Sequence, residues 1–319
     1  MKRSIALTLF ALMLGWVQTG YSSNPSNFRI AGIPVFYFNP TEFPDHYAAD
    51  DPRVTVLPEA ERTEARLKIF EDEFKIALNE WSSVSGSTFV AIYGGQRTDV
   101  DCYDNYDGIF VLCPLNDLEW FSRSGREVSA LAGTGLVTIS LPFDLARDGF
   151  VHYNAEYSYE QTRTSTIFLH EVGHVLGLGH EFGVPSIMGY LPLSTLHQNL
   201  YPDDIAGLRY LYPFTEACAP VFDMEGGQLG FWAEIYLPGV LHRVRLNYRE
   251  PGYLEVVAAP LLDISSQERS CALKLDGNEL FIPYIELEGQ TYWLKLELNP
   301  VLPGEAITLD LVDYQPVPD

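Results

Sequence analysis

Between Glu59 and Trp81 the apolar residues Leu67, Phe70, Phe74, Ala77 and Trp81 recur at spacings of three and four, with Glu, Arg and Lys between them. That spacing lays one apolar stripe along an α-helix and leaves the opposite face charged. Acidic residues at its start suit the positive end of the helix dipole. Ahead of it, Ile33 to Phe38 reads as a strand, followed by a Pro- and Asp-rich loop from Asn39 to Pro58. Short β-rich runs follow over Thr88 to Tyr93, Ile109 to Leu112, Leu136 to Leu141 and Val151 to Tyr157. Two further helices are expected, one over Arg163 to Leu178 and one over Asp203 to Tyr212. An Asp caps the second, and Pro213 stops it because its ring cannot continue a helix.

After Pro213 the period changes from helical to two. Val244, Leu246 and Tyr248 alternate with Arg243, Arg245 and Asn247; Leu294, Leu296 and Leu298 alternate with Lys295, Glu297 and Asn299. These are half-buried strands. The two stretches also align: Gly239, Val244 and Leu246 match Gly289, Leu294 and Leu296, and Ile235 and Leu237 match Ile285 and Leu287. Each half opens with a Cys-Ala pair, at Cys218 and Cys271. Residues 215–319 are therefore expected to form a small all-β, sandwich-like domain with an internal repeat, behind a first domain over 24–214.

The first residues read as a leader. Lys2 and Arg3 precede an apolar run from Ile5 to Val17, and small and polar residues follow from Gln18 to Ser23. That order marks a secretory signal peptide over residues 1–23, too short for a comfortable membrane span, and places the protein outside the cell or in the periplasm. Export makes the four cysteines legible, since an oxidising compartment favours disulfides. Cys102–Cys113 and Cys218–Cys271 are the simplest of three connectivities, with free buried thiols as the alternative. The net charge of −23 argues against nucleic acid and anionic membranes as partners. No later segment reads as membrane-spanning.

Residues 170–180 read HEVGHVLGLGH. His170 and His174 stand four apart on one helix, so both imidazoles reach one metal from the same face. Gly177 lets the chain leave the helix through a positive φ, and the turn brings in His180. Three neutral imidazoles leave a fourth zinc position for water, whose proton Glu171 can take. The alternative is a helix whose histidines merely pack or face solvent.

This motif resembles the extended zinc site of the metzincins. Ser186-Ile187-Met188-Gly189-Tyr190 is similar to their methionine turn, and Met188 stands eight residues after His180, a separation that resembles the matrixins. Leu200 to Tyr212 is similar to the last matrixin helix, where Asp203 and Asp204 are expected to cap the helix and brace the methionine turn, and Phe74 to Phe89 to their first helix and the strand after it. The resemblance covers residues 30–213. It implies an α+β fold, a twisted mixed sheet with long helices, and a secreted zinc endopeptidase acting on proteins or peptides through one catalytic Zn2+. Its metal ligands would be His170, His174 and His180, its general base Glu171, and Met188 the floor of the site. Glu181 and Tyr190 depart toward the astacins, where such a tyrosine ligates zinc or stabilises the oxyanion; packing beneath the site is the alternative for Tyr190. The matrixin structural zinc has no visible ligands, because His152 is the only histidine between His46 and His170. A cysteine-switch propeptide is not seen either.

Asp99, Asp101, Asp104 and Asp107 crowd one loop, where either Ca2+ or solvent could answer their charge. In a metzincin-like fold an extended substrate would pair as an added edge strand near Leu136 to Leu141; a simple core strand is the alternative reading of that run. The rival class is a zinc-binding adhesion or recognition protein in which the β domain carries the function. That domain's contacts, with a cell surface or a polysaccharide, stay open.

Overall fold

The computed structural model describes residues 28–103, 107–122, 130–134, 137–138, 144–155, 161–181, 183–189, 199–237, 240–249, 253–261, 271–287, 290–299 and 308–316. The leader expected over 1–23 lies outside them.

The first part mixes helices and strands: β1 (Phe28–Ile30), β2 (Val35–Phe38), a single turn α1 (Pro52–Thr55), the long α2 (Glu59–Ser82), β3 (Ile92–Gln96), β4 (Phe110–Leu115), a short α3 (Leu118–Ser122), β5 (Ala130–Gly133), β6 (Val137–Thr138), β7 (Asp144–Ala146), β8 (Gly149–Asn154), α4 (Gln161–Val175) and α5 (Pro202–Leu211). The apolar stripe of α2 does what its spacing requires: Phe70, Phe74, Ala77 and Trp81 are wholly buried, and Glu59 and Glu61 stand in the first turn. Five strands form a sheet in the order β3-β2-β4-β8-β5, all parallel except β5, which runs antiparallel along the edge. Helices α2 and α4 pack on one another and against this sheet. Phe168 of α4 meets Phe70 and Phe74 of α2 edge-on, with ring centroids 5.0 and 5.3 Å apart. Each such buried aromatic contributes about 2–3 kcal/mol over an exposed one.

Two local expectations change. The strand read from Thr88 begins only at Ile92, because the backbone before it bonds elsewhere: Thr88 N–H donates to Tyr212 O (2.8 Å) and Ala91 N–H to Ser82 Oγ (2.9 Å). Of the run Leu136 to Leu141, the described pair Val137–Thr138 belongs to a separate small sheet, β1-β7-β6. The antiparallel edge of the main sheet is therefore Ala130–Gly133, not that run.

The second part is all β: β9 (Asp223–Glu225), β10 (Gln228–Leu237), β11 (Val240–Arg249), β12 (Tyr253–Leu261), β13 (Leu273–Asp276), β14 (Glu279–Leu287), β15 (Gln290–Leu298) and β16 (Thr308–Pro316). Two antiparallel meanders, β9 to β12 and β13 to β16, join edge to edge through β12–β16 and through the parallel pair β10–β13, so the sheet closes on itself. Leu237 faces Val240 across one hairpin and Leu287 faces Gln290 across the other, with Ile235–His242 and Ile285–Tyr292 in the same register. Phe231, Leu246, Leu280, Ile282 and Leu296 fill the interior. Arg245 breaks the expected alternation: it is buried, and Asp223 (2.6 Å) and Glu225 (3.0 Å) answer its charge. Among the described residues, no helix is long and apolar enough to cross a membrane.

Candidate metal centre

Helix α4 ends because of Gly177. Gly177 takes φ 100°, its N–H donates to His174 O, and Leu178 N–H reaches back to Gly173 O, both at 3.0 Å. This is the Schellman ending, which a residue with a Cβ would strain. The helix therefore stops three residues earlier than the expected Leu178, and the reversed chain carries His180 back toward His170 and His174. The Nε2 atom of His174 lies 3.1 Å from Nε2 of both His170 and His180, and the three ligand atoms all fall within 4.8 Å of one another.

The tautomers follow from the neighbours. His170 Nδ1–H donates to Ile187 O (2.7 Å), and His174 Nδ1–H to Leu178 O (2.8 Å). Both Nε2 atoms are then bare lone pairs pointed into the same space. Lone pairs facing at 3.1 Å repel unless a cation stands between them. Tetrahedral coordination at about 2.0–2.1 Å places neighbouring nitrogens about 3.3 Å apart, close to the spacing seen. The donor set thus fits a transition metal. Among the described residues this is the one group of three or more metal-ligating side chains that converges.

Burial also sets the protonation states. It pushes His170 down to about 3, helped by the neighbouring imidazoles, His174 down to about 4, and His180 downward as well. All three are neutral at pH 7, as ligation requires. Glu171, in the same helical turn, is buried, and burial alone pushes it up to about 8. A cation held by the triad would oppose that shift, because it favours the carboxylate.

The floor of the site is built by a second helix. Asp204 of α5 is wholly buried. Its Oδ1 accepts from Ser186 Oγ–H (2.5 Å), and its Oδ2 accepts from Ile187 N–H and Tyr201 N–H (2.9 Å each). Ser186 Oγ in turn accepts from Met188 N–H (2.9 Å). The turn 186–188 is thereby pinned with the Ile187 carbonyl aimed at His170. The capping and bracing expected of Asp203 and Asp204 fall on Asp204, the third residue of a helix that Pro202 opens, while Tyr201 holds the N-cap position. Glu181 N–H donates to Met188 O (3.1 Å), and its carboxylate accepts from Gly183 N–H, which ties the third histidine to the same turn. A Cβ on Gly173 would overlap the Met188 sulfur and stand 3.0 Å from Trp81 Cζ2, so only glycine lets this floor reach the helix. Trp81 Nε1–H closes the contact by donating to Leu169 O (2.9 Å).

The matrixin family model matches residues 117–213, the stretch that holds the triad, the methionine turn and α5. This chain carries a matrixin-like metzincin domain. Human matrix metalloproteinase-19 is 30% identical over 148 residues, covering 43% of this chain and 24% of that protein. Macrophage metalloelastase of Oryctolagus cuniculus is 40% identical over 68 residues, 20% of this chain and 14% of its own length. Human stromelysin-3 is 22% identical over 278 residues, 75% of this chain and 52% of its own. The chain thus spans from about a seventh to about half of these relatives.

In the matrixin-like domain the nitrogens of His170, His174 and His180 converge, Met188 lies against Gly173 of the same helix, and Glu181 is bonded to Met188 O. Tyr190 and the loop 191–198 lie outside the described residues. In the acidic loop, Asp99 pairs with Arg97 (2.7 Å), Asp101 accepts from Tyr103 N–H and Asp107 from Ile109 N–H (2.9 Å each); Asp104 lies outside the described residues. His152 is wholly buried against Phe150, and its Nε2–H donates to Cys102 O (2.7 Å). The bridges Cys102–Cys113 and Cys218–Cys271 are both formed. Two supports carried no local signal. Trp81 acts 88 residues from its acceptor, and Tyr212 OH spans Ile30 N–H and Leu176 O at 2.8 Å each.

Proposed function

We propose that this chain is an exported zinc-dependent endopeptidase, with a catalytic domain over 24–214 and a duplicated β domain over 215–319. The observation that carries the reading is the trio of neutral imidazoles whose nitrogens face one another beside a buried glutamate. The matched metalloproteinases support the reaction class, and two disulfides support an oxidising compartment.

His170, His174 and His180 would hold the ion. Zinc in such a site supplies Lewis acidity toward a peptide carbonyl and toward water. Glu171 takes a proton from the water that adds to the carbonyl carbon and returns it to the departing amine nitrogen, so peptide and water give a carboxylate and an amine. Met188 and Trp81 hold the histidines in register from below. Tyr190, two residues past Met188, is assigned a phenolic donor to the oxygen that gains charge.

The test is Glu171→Ala in the full chain. Zinc content should stay at wild-type level, because no ligand is altered, while cleavage of a peptide library falls by about 10²–10⁴-fold. A variant that cleaves at the wild-type rate would remove Glu171 from the chemistry. A wild-type protein that binds zinc and cleaves nothing would return function to the β domain.

A further inference from the structure

The β-rich part is fastened to the segment 79–92 of the metal-binding part. Lys274 of β13 is 3% exposed, yet its side-chain nitrogen has partners: it donates to Ser82 O and to Phe89 O, with the Tyr236 ring 5.5 Å away. Tyr236 OH donates to Asn79 Oδ1 (2.7 Å). Around these bonds Tyr236, Leu241 and Ala272 pack on Val90, with Ile33 and Ile92 at the margin. The same segment is held at its other side by the chain leaving α5. Phe214 N–H donates to Gly86 O (3.3 Å), and Phe214 itself packs into the interior of the β-rich part.

Ser82 is the last residue of α2 and follows Trp81. Trp81 reaches Leu169 O, one residue before His170, and lies against Gly173 and Met188. A buried lysine is rare, because taking an ammonium from water costs several kcal/mol unless its donors are used. Here the acceptors are two backbone carbonyls toward either end of the α2–β3 connection.

We infer that Lys274 and Tyr236 are positioning residues for the metal centre, and that the β-rich part is a strut that holds the end of α2, and with it Trp81, against the metal helix. The inference rests on the zinc reading of the triad, not on which bond the enzyme cuts.

The experiment uses full-length protein and zinc affinity, measured by competition with a chromogenic chelator, alongside hydrogen exchange over 76–91 and 167–176. Lys274→Met should weaken zinc binding by about tenfold and speed exchange in both stretches, as loss of an outer support does. Tyr236→Phe should act in the same direction and less. Lys295→Met, which removes an exposed ion pair with Glu279 on the same part (2.6 Å), should change neither. Wild-type zinc affinity in a folded Lys274→Met protein overturns the inference. Should Lys274→Met fail to fold, Tyr236→Phe decides: unchanged affinity and exchange overturn it, and a loss of both supports it. A wild-type protein that binds zinc without cleaving peptides defeats the peptidase reading alone and leaves this comparison intact.

Discussion

Asp204→Asn removes one charge and one acceptor from beneath the metal centre while keeping the side chain's shape. The carboxylate now serves two pairs of donors, Ser186 Oγ–H with Met188 N–H (3.4 Å) on Oδ1, and Ile187 N–H with Tyr201 N–H on Oδ2. An amide has only one oxygen. It will keep that oxygen on the Oδ2 side, where two backbone donors have no rotational freedom, and turn its NH2 toward Ser186, whose hydroxyl can rotate to accept. The bonds with Ile187, Tyr201 and Ser186 all lose their charge assistance, and Met188 N–H keeps only Ser186 Oγ. Hydrogen bonds to charged groups contribute about 1.5–3 kcal/mol against about 1 for neutral ones, so the loss should be about 2–3 kcal/mol. Asp204→Ala, which strands the buried N–H groups outright, should lose more. Urea unfolding of the zinc-loaded and zinc-stripped proteins measures this, and chelator competition reads whether the Ile187 carbonyl still orients His170. An Asp204→Asn protein as stable as wild type, with unchanged zinc affinity, would refute the account of the floor.

Gly173→Ala should destabilise, against the helix rule. Alanine in a helix interior gains about 1 kcal/mol over glycine, but here its Cβ meets Met188 and Trp81, and overpacking costs about 1–3 kcal/mol. A more stable variant in urea unfolding would show that the floor does not touch the helix. His152 carries a pH dependence. Burial holds its imidazole down at about 4 against an ordinary 6.5. Between those values the unfolded chain binds the extra proton, so stability is full above about 6.5 and falls as the pH drops toward 4, by at most about 3 kcal/mol. His152→Phe should lose about 1 kcal/mol at neutral pH with its bond to Cys102 O, and flatten the acid limb. Parallel pH profiles for the two proteins would count against it.

What the chain alone determined was local or periodic. The methionine turn was legible only through the family resemblance, while the α2 stripe, the alternation after Pro213 and the HEVGHVLGLGH spacing each need only neighbours within a few residues, where backbone geometry maps spacing onto direction. The role of Gly177 was legible for the same reason, since a helix that ends on a positive φ turns the chain in one way. The edge strand was not: Ala130–Gly133 and Val137–Thr138 are both short and apolar, and only pairing decides which completes the main sheet. Arg245 read as a solvent-facing position, yet partners two strands away cover it. Most of all, a lysine in an alternating strand reads as exposed, and Lys274 is instead buried against Ser82 O and Phe89 O, 192 and 185 residues away. Backbone carbonyls carry no side-chain identity, so no pattern of residues announces such a bond; the packing of the two parts creates it. The candidate metal ligands were written in eleven consecutive residues and Asp204 was legible as a brace of the turn beneath them, while Trp81, Tyr212 and Lys274 are a matter of tertiary structure.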